Sequence, residues 1–337
     1  GIHDLTVHQY HLYLAYGDAN INLGSVIPVG LRHFSSDDDP GATNEFDTDE
    51  EQIDRYRSLG GDLFAAGPDA TEDGWLGNIY YRRDQGPWVK SRTLDGGVHV
   101  HDVEAFGGAH WAVGSGAQPE EWNAGDIYAH LWRSGDGGES FEIVERVHNG
   151  GDGDARWIRL LPVGGELYLF GYTSNAQYQT DNIIGATHDG TNLTMLADGH
   201  PLRWVFALET DPITDELGIL RGVDVSQSTL LHAAYRVTPT GVSQVDGLIG
   251  KTVVDLSVHE PTGEILLLTH EGDDYQASFA LTEWQLSVVV TTDFETFTEL
   301  LSFTSDVPPS SIAFWRDRLY YGTDHGQVWR AEPLQGR

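Results

Sequence analysis

Residues 98–146 read VHVHDVEAFGGAHWAVGSGAQPEEWNAGDIYAHLWRSGDGGESFEIVER, four short segments separated by turns rich in glycine and acidic residues. Each segment has the period-two alternation and the β-branched and aromatic residues that predict a strand. The four predicted strands are Val98–Phe106, Ala109–Gly114, Asp126–Arg133 and Phe141–Arg146. This stretch therefore predicts one antiparallel unit of four strands.

The same pattern recurs along the chain. The first strands of successive repeats start at His3, Arg55, His101, Arg156, Arg203, Val254 and Ser310, with spacings of 52, 46, 55, 47, 51 and 56 residues. A period of about 50 residues with four strands per unit is typical of a β-propeller. We therefore predict an all-β, seven-bladed β-propeller that forms one domain over residues 1–337. The last repeat has three strand segments, so its blade is either three-stranded or completed by a strand from elsewhere.

The composition excludes several kinds of site. The chain of 337 residues contains no cysteine, so disulfides, zinc–thiolate sites and a cysteine nucleophile are excluded. No run of 18 apolar residues is present, and the first residues lack a basic-then-apolar signal pattern. We expect a soluble chain that does not insert into a membrane.

The charge balance is strongly acidic. Asp and Glu number 52 against 19 Lys and Arg, and the only lysines are Lys90 and Lys251. A formal net charge of -33 repels nucleic acid and anionic membrane surfaces, and it destabilises a compact fold at low salt. Acid excess, Arg in place of Lys and the lack of cysteine together indicate a halophilic source. An ordinary acidic extracellular protein is the alternative.

One turn has a recognisable motif. The segment Ser134–Phe141, SGDGGESF, matches the pattern S-x-D-x-G-x-[ST]-[WF]. In such a turn the aspartate carboxylate accepts backbone N–H groups, glycine adopts positive φ and the aromatic ring packs inward. Less complete copies lie between the third and fourth strands of other repeats, at Arg83–Trp88, His188–Gly190 and Thr292–Phe297. These turns predict architecture and not activity.

The motif resembles the turn of Asp-box (BNR-repeat) β-propellers, the superfamily that includes sialidases. The resemblance implies a propeller with Asp-box turns on the face opposite the active site. Sialidases also carry an arginine in an F/Y-R-I-P segment, and no arginine of this chain is followed by Ile-Pro. We therefore do not expect sialidase activity.

A second resemblance covers roughly the first 140 residues. It rests on the stretches His3–Leu5, Leu12–Asp18, Glu51–Arg57 and His99–Val103. These are similar to propellers identified as minor tail or adhesion proteins of tailed viruses. Together with the acidic composition, the likeness implies a virion protein of a virus that infects a halophilic archaeon.

In a propeller blade, the start of the inner strand and the turn between the second and third strands open on one face. The residues predicted to bind a ligand there are Asp18, Arg55, Asp69, His101, Arg156 and Arg203, with the loop aromatics Trp75, Trp122 and Tyr178. Aromatic ring faces suit a sugar or a protein surface, and Arg and His supply hydrogen bonds. The alternative is that the charged groups pair with one another and with channel water while the aromatics fold over the blade edge.

The preferred function is a virion tail or surface protein that binds a host cell-envelope glycan or glycoprotein in high salt, on the virion or outside the cell. We nominate no catalytic residue and favour a binding role over an enzymatic one. The alternatives are a glycoside hydrolase or polysaccharide lyase that uses carboxylates such as Asp4, Asp18 or Asp69, and a purely structural virion component. Expected partners are the host glycan, other virion proteins and, as an open alternative, further copies of this chain.

No cofactor is expected. The insert 35–54 nevertheless carries clustered carboxylates, and Ca²⁺ prefers several oxygen ligands. A structural Ca²⁺ or other cation in this insert is therefore the alternative to a solvated acidic loop.

We predict that the free energy of unfolding rises with salt concentration. In molar salt the Debye length falls to about 3 Å, which screens most of the repulsion among the excess carboxylates. Thermal melts followed by circular dichroism in low and in molar NaCl measure this, and a higher melting temperature in molar salt is the expected result. An unchanged or lower melting temperature contradicts the prediction.

Overall fold

The structure is a computed structural model that describes residues 1–18, 27–72, 74–150, 153–175, 179–226, 232–259, 262–272 and 282–333. Within these ranges the chain is almost entirely antiparallel sheet, as the alternation of side chains predicts. The helical elements described are a short helix α1 (Pro119–Ala124) and a 3-10 turn at Asp246–Leu248. No helix in these ranges is long and apolar enough to span a membrane.

Three sheets contain the first part of the chain. The first sheet contains β1 (Ile2–His8), β2 (His11–Tyr16), β3 (Gly30–Phe34) and β4 (Thr43–Asp47). The second contains β5 (Tyr56–Leu59), β6 (Asp62–Ala66), β7 (Leu76–Arg82) and β8 (Val89–Asp95). The third contains β9 (Gly97–Phe106), β10 (Ala109–Gly116), β11 (Asp126–Ser134), β12 (Glu142–Val147), β13 (Gly153–Val163), β14 (Glu166–Ser174), β15 (Thr180–His188) and β16 (Leu193–Met195).

Three further sheets follow along the chain. The fourth contains β17 (Val205–Thr214), β18 (Leu217–Asp224), β19 (His232–Thr238) and β20 (Gly241–Gln244). The fifth contains β21 (Lys251–His259), β22 (Glu264–Glu271), β23 (Trp284–Thr291) and β24 (Thr298–Ser305). The last sheet has three strands in the described residues, β25 (Pro309–Trp315), β26 (Arg318–Thr323) and β27 (Val328–Arg330).

The fold is an all-β propeller, but the prediction of seven blades is wrong. The described residues form five separate blades, four with four strands and one with three, beside a single eight-stranded sheet. The eight-stranded sheet joins two sequence repeats through a short parallel pairing of β11 with β13. In this pairing Asp126 lies opposite Gly153, and Ile127 lies opposite Asp154. Strand β12 pairs with β11 only from Ala129 onward, so the start of β11 keeps an open edge that β13 occupies. The spacing of the repeats in the sequence does not predict such a pairing.

The acidic insert also differs from its prediction. Residues 43–47 form strand β4, which pairs with β3 and completes the first sheet. Several of the acidic side chains of the insert are held by basic partners: Arg318 Nε lies 3.1 Å from Asp37 Oδ2, and Arg82 Nη1 lies 2.9 Å from Glu45 Oε2. The insert is therefore an integral part of the sheet and not a solvated loop alone.

The hydrophobic core lies between facing sheets. The middle strands are buried on both faces and read as nearly continuous apolar runs, such as Leu12–Ala15 and Ile265–Leu268. One of the clusters between neighbouring sheets packs Phe64 and Tyr81 against Ala112 and Trp132. Full burial of one large apolar side chain stabilises a fold by roughly 1.5–3 kcal/mol. Because every sheet is sandwiched, the core extends around the ring.

The ring is closed by packing between the last and the first sheets. Ile2, Leu5, Leu12 and Leu14 of the first sheet join Ala313, Trp315 and Tyr320 of the last in one buried cluster. The indole N–H of Trp315 donates to the Tyr10 carbonyl oxygen at 2.9 Å. Closure in the described residues thus uses side-chain packing between two sheets.

The first strands of most repeats contain one extra residue at the same place. A register shift leaves this residue without a partner on the second strand, and the bulged residues are His3, His101, Ile158, Leu208, Val254 and Ser310. A bulge bends the strand and re-aims the side chains beside it. The residue after each bulge is charged or polar: Asp4, Asp102, Arg159, Glu209, Asp255 and Ser311.

Three of these aspartates connect neighbouring first strands. The backbone N–H of Tyr56 donates to Asp4 Oδ2 at 3.4 Å, that of Leu160 to Asp102 Oδ2 at 3.0 Å, and that of Ile312 to Asp255 Oδ2 at 2.6 Å. We call this contact the inter-strand latch. In each latch the carboxylate accepts a backbone N–H of the neighbouring strand. A buried backbone N–H needs such a hydrogen-bond partner.

The glycine- and aspartate-rich turn has the predicted hydrogen bonds. Asp136 Oδ1 accepts the N–H groups of Glu139 and Ser140, each at 3.0 Å, and Asp136 Oδ2 accepts the Ser140 hydroxyl at 2.6 Å. Phe141 is buried, and Gly137 and Gly138 have φ of 82° and 93°. Asp189 and Asp293 accept backbone N–H groups of their own turns in the same way. At Asp84 the pattern differs, because its own N–H donates to Asp62 in another turn.

We predict that Asp102→Ala destabilises the fold far more than Asp136→Ala. Asp102 is fully buried and also pairs with Arg57, and removing one partner of a buried ion pair costs about 3–5 kcal/mol. Asp136 makes a similar number of hydrogen bonds in an exposed turn, where the loss costs about 1 kcal/mol. Urea unfolding of both variants measures the difference. Equal costs would argue that the latch is not a principal stabilising contact.

Candidate functional site

A polar cavity lies where the first strands of several repeats begin. It has a volume of about 230 Å³ and is lined by His3, Asp4, Asp54, Arg55, Arg159, Leu208, Glu209, Arg221 and Asp255. A second cavity of about 360 Å³ shares Asp4, Arg55 and Glu209 with it. We call the side of the molecule on which the first strands begin the strand-start face. The residues that follow the bulges therefore line the centre of this face.

An arginine of the second sheet crosses to two other sheets. Arg57 Nε and Nη2 donate to Asp102 Oδ1 and Oδ2 at 2.9 and 2.7 Å, a bidentate pair. Its Nη1 donates to the Thr210 carbonyl oxygen at 2.7 Å and to Asp211 Oδ1 at 3.2 Å. Burial would raise the pKa of Asp102, but the neighbouring Arg57 charge and hydrogen bonds hold it below its ordinary value. These contacts make Arg57 a structural residue.

Arg55, one of the predicted ligand-binding residues, lies in the cavity wall and not on the surface. Its Nη1 and Nη2 donate to the Thr210 carbonyl oxygen and to Asp211 Oδ1, each at 3.1 Å. Its side chain is 10% exposed, and its Nε has no hydrogen-bond partner among the described residues. Arg55 therefore forms part of the cavity wall, and only its Nε edge remains to contact a ligand.

Two carboxyl groups in the cavity share a hydrogen bond. Burial and the charge of Glu209 raise the pKa of Asp255 well above its ordinary value. Glu209 stays ionised because Arg221 Nε donates to its Oε2 at 3.1 Å, and its pKa is lowered. The two carboxyls of a glycoside hydrolase lie about 5–9.5 Å apart with substrate between them. A directly hydrogen-bonded pair does not have this geometry.

A second polar group lies beside the cavity, at the starts of β9 and β13. We call His99, His101, Asp154, Arg156 and Asp69 the histidine cluster. His99 and His101 alternate on β9, and their rings stack at 5.9 Å with an angle of 17°. Arg156 Nε donates to Asp154 Oδ2 at 2.6 Å, and the Asp69 carboxylate lies 4.0 Å from His99 Nδ1. The parallel pairing of β11 with β13 positions Asp154 within this cluster.

Both histidines are neutral at pH 7. Burial, with the positive charge of Arg156, lowers the pKa of His99 to about 4. Burial, His99, Arg156 and Arg159 lower the pKa of His101 well below its ordinary value. Burial and the nearby Glu51 charge raise the pKa of Asp69 to about 6. A neutral imidazole beside a guanidinium can accept a proton next to a bound anion.

Two polar atoms of the cluster are buried without a partner. His101 Nε2 and Asp154 Oδ1 have no hydrogen bond among the described residues, and Asp154 is 1% exposed. A buried polar atom without a partner costs free energy and is a sign of function when it lies in a polar cluster. Tyr172 stands opposite Arg156 in the β13–β14 register, so its phenol belongs to the same surface.

The loop aromatics are only partly where the sequence placed them. Trp75 and Trp122 contact each other with ring centroids 5.4 Å apart, and Trp122 is 39% exposed. Arg203 lies against the Trp204 ring at 4.6 Å, away from the central cavity. Asp18 is exposed, and Tyr178 lies outside the described residues.

Of the nine predicted ligand-binding residues, the structure brings His101, Arg156 and Asp69 together and pairs Trp75 with Trp122. That these residues bind a ligand stays a prediction. The set of nine does not include Tyr172, nor does it include His99 and Asp154, which the sequence does place on this face at strand starts. The alternation V-H-V-H-D puts His99 on the same side of β9 as His101. Tyr172 gave no such signal, because its proximity depends on strand register.

The structural cation expected in the insert 35–54 also stays a prediction. Among the described residues, no group of three or more His, Asp or Glu side chains has a metal-binding arrangement. Asp49 of the insert pairs with Lys90 Nζ at 2.6 Å.

No protein-family model matches the chain, and no curated protein matches its sequence. Solved structures with a similar fold include virginiamycin B lyase from Staphylococcus aureus, with TM-score 0.53, 10% identity, and coverage of 97% of this chain and 93% of that one. The polysaccharide lyase PL25 ulvan lyase, bound to -[GlcA(1-4)Rha3S]-, has TM-score 0.51, 11% identity, and coverage of 98% and 91%. At this identity the likeness establishes the propeller fold alone. The expected likeness to Asp-box and viral tail proteins gains no support from these comparisons.

We predict that Glu104→Gln flattens the pH dependence of stability. Glu104 is 2% exposed, and burial raises its pKa from 4.5 to about 8 although Arg57 Nε lies 3.8 Å away, because the donors of Arg57 are committed to Asp102 and Thr210. The folded state therefore holds this proton more tightly than the unfolded chain does. The free energy of unfolding falls as pH rises from about 4.5 to about 8.

Urea unfolding of the wild type, of Glu104→Gln and of the exposed control Glu142→Gln across this pH range tests the prediction. The free energy of unfolding of Glu104→Gln should fall less over this pH range than that of the wild type. The Glu142→Gln control should show the same fall as the wild type. Parallel curves for all three proteins would contradict the assigned protonation of Glu104.

Proposed function

We propose that the protein is a polysaccharide lyase that cleaves a uronate-containing surface polysaccharide by β-elimination. The observation that carries this proposal is the neutral His101, held beside the guanidinium of Arg156 on the strand-start face, with an Nε2 that has no partner in the part of the chain that the structure describes. Elimination from a uronate requires a base next to a cation, and the histidine cluster contains both.

The reaction balances without a cofactor. A base removes the proton from C5 of the uronate, next to its carboxylate. The electron pair forms the C4=C5 double bond, and the C4–O4 bond breaks. A proton donor supplies the leaving O4 with hydrogen, so that the polymer ends in an unsaturated uronate and a new hydroxyl group. The cation stabilises the negative charge that develops on the carboxylate as C5 loses its proton.

We assign Arg156 the role of binding the carboxylate of the uronate. Its Nε is bound to Asp154, which fixes the plane of the guanidinium and leaves the terminal nitrogens for a second carboxylate. Burial is the largest cause of the lowered pKa of His101, and Arg156 adds to it. An anion bound to Arg156 offsets that second contribution, so the pKa of His101 rises when substrate binds. His101 Nε2 is buried in the free protein, so substrate binding has to expose it before it removes the C5 proton.

Tyr172 is assigned as the proton donor. It pairs with Arg156 across β13 and β14, and burial raises the pKa of its phenol above the ordinary value. The phenol is therefore protonated at neutral pH and is a suitable donor to the leaving oxygen.

Other functions receive less support. The hydrogen-bonded Glu209–Asp255 pair does not have the separation that a glycoside hydrolase needs. The comparisons include a polysaccharide lyase with this fold, so the reaction class is compatible with a propeller, although fold likeness alone does not assign function. A binding role on a virion has no support from those comparisons. An extracellular, high-salt location and a glycan partner remain part of the proposal.

The test is incubation of the purified protein in molar salt with separate uronate polysaccharides: polygalacturonate, alginate, hyaluronan, chondroitin and ulvan. Cleavage by elimination creates a conjugated double bond, which is followed by ultraviolet absorbance. We expect turnover of at least one polymer, a loss of about 10²–10⁴-fold in His101→Ala, and a fall in kcat/KM on acidification.

Asp136→Asn, on a distant exposed turn, is the matched control and should keep wild-type activity. Near-ultraviolet circular dichroism establishes that His101→Ala is folded. Reducing ends that appear without ultraviolet absorbance would indicate hydrolysis and overturn the proposal. Binding of a polymer without any cleavage would favour the glycan-binding role instead.

A further inference from the structure

A third cavity on the strand-start face has an aromatic wall and a polar rim. Its volume is about 570 Å³, and it is lined by Thr180, Asp181, Asn182, Ile183, Trp204, Val225 and Ser226. Trp204 directly precedes β17, and its side chain is 37% exposed. A core tryptophan is normally buried, so an indole exposed in a cavity suits a ligand with an apolar face.

The Trp204 ring has a fixed orientation. The guanidinium of Arg203 lies over it at 4.6 Å, and Arg203 Nη1 donates to the Ile183 carbonyl oxygen. A cation over an indole face is attracted by the electron density of the ring. Arg203 is thus a positioning residue that supports one face of the indole, and the cavity lies on the exposed remainder.

The cavity adjoins the histidine cluster. Ile183, which lines the cavity, stands directly opposite Tyr172 in the β14–β15 register. The Tyr172 ring contacts Phe206 at 5.8 Å, and Phe206 lies two residues after Trp204. Neighbouring strands are about 4.8 Å apart, so a polymer lying on Tyr172 reaches the Trp204 cavity within one or two sugar units.

We propose that the Trp204 cavity binds a neutral sugar residue of the polymer whose uronate lies at Arg156. This inference rests on the proposed function and names its substrate class: a heteropolysaccharide that contains neutral sugars next to uronates. The indole stacks on the apolar face of the sugar ring, and the exposed Asp181 and Asn182 side chains accept and donate hydrogen bonds to its hydroxyl groups.

The charge of the rim argues for a neutral sugar. Asp181 is exposed and lines the cavity, so its carboxylate repels a uronate there. The positive charge of Arg203 is shared with Asp198, whose Oδ1 lies 3.6 Å from Arg203 Nε. A continuous polyuronide would place a carboxylate against Asp181 and is disfavoured.

The experiment uses His101→Ala, which prevents cleavage during measurement, as the parent protein. Titration calorimetry in molar salt compares polymers that alternate a uronate with a neutral sugar (hyaluronan and unsulfated chondroitin) with the homopolyuronides polygalacturonate and alginate. We expect tighter binding of at least one alternating polymer. Adding Trp204→Ala should weaken that binding about tenfold, and adding Asp181→Asn should improve binding of a homopolyuronide.

Trp329→Ala, an exposed tryptophan on the edge strand β27, is the matched control and should leave affinity unchanged. No binding of any alternating polymer, or equal affinity with and without Trp204, overturns the subsite. Loss of affinity in Trp204→Ala for a protein that never cleaves would support the subsite and refute the lyase. Cleavage by the wild type together with unchanged affinity in Trp204→Ala would support the lyase and refute the subsite.

Discussion

The inter-strand latch is the contact on which the rest of the structure depends. A carboxylate after a strand bulge accepts the backbone N–H of the neighbouring first strand, at Asp4, Asp102 and Asp255. These strands lie at the centre of the ring, where a buried backbone N–H without a hydrogen-bond partner costs free energy. Arg57 adds charge pairing to the same network and joins three sheets. The centre of the ring is therefore built from ionic groups, while apolar packing operates between the sheets.

This construction has a consequence for chemistry. A centre made of charged groups shifts the pKa values of its neighbours, since burial penalises ionisation and the arginines add a positive field. The same conditions that keep Asp102 ionised keep His99 and His101 neutral. The bulge that prepares the latch at Asp102 leaves His101 without a strand partner. The latch residue Asp102 and the proposed base His101 are thus consecutive residues of one strand.

The repeat pattern allowed the all-β propeller and most strands to be predicted, and it failed where pairing depends on edges. The parallel contact of β11 with β13 arises where β12 leaves the start of β11 uncovered, and the strand in the acidic insert pairs with β3. Neither has a local signature in composition. Within the candidate site, His101 and Arg156 were predicted from their places at strand starts. Arg55 has the same place in its repeat but points into the ionic centre.

By itself, the sequence determined the strand period, the capped turns and the chemical identity of the groups at the strand starts. These properties are local, because side-chain alternation and turn hydrogen bonds involve residues close in the chain. Only the tertiary structure decided how many sheets are separate, which carboxylates are neutral, and which polar groups meet at the strand starts. Those outcomes depend on burial and on charges about 50 residues away in the chain, and neither can be read from a short stretch of sequence.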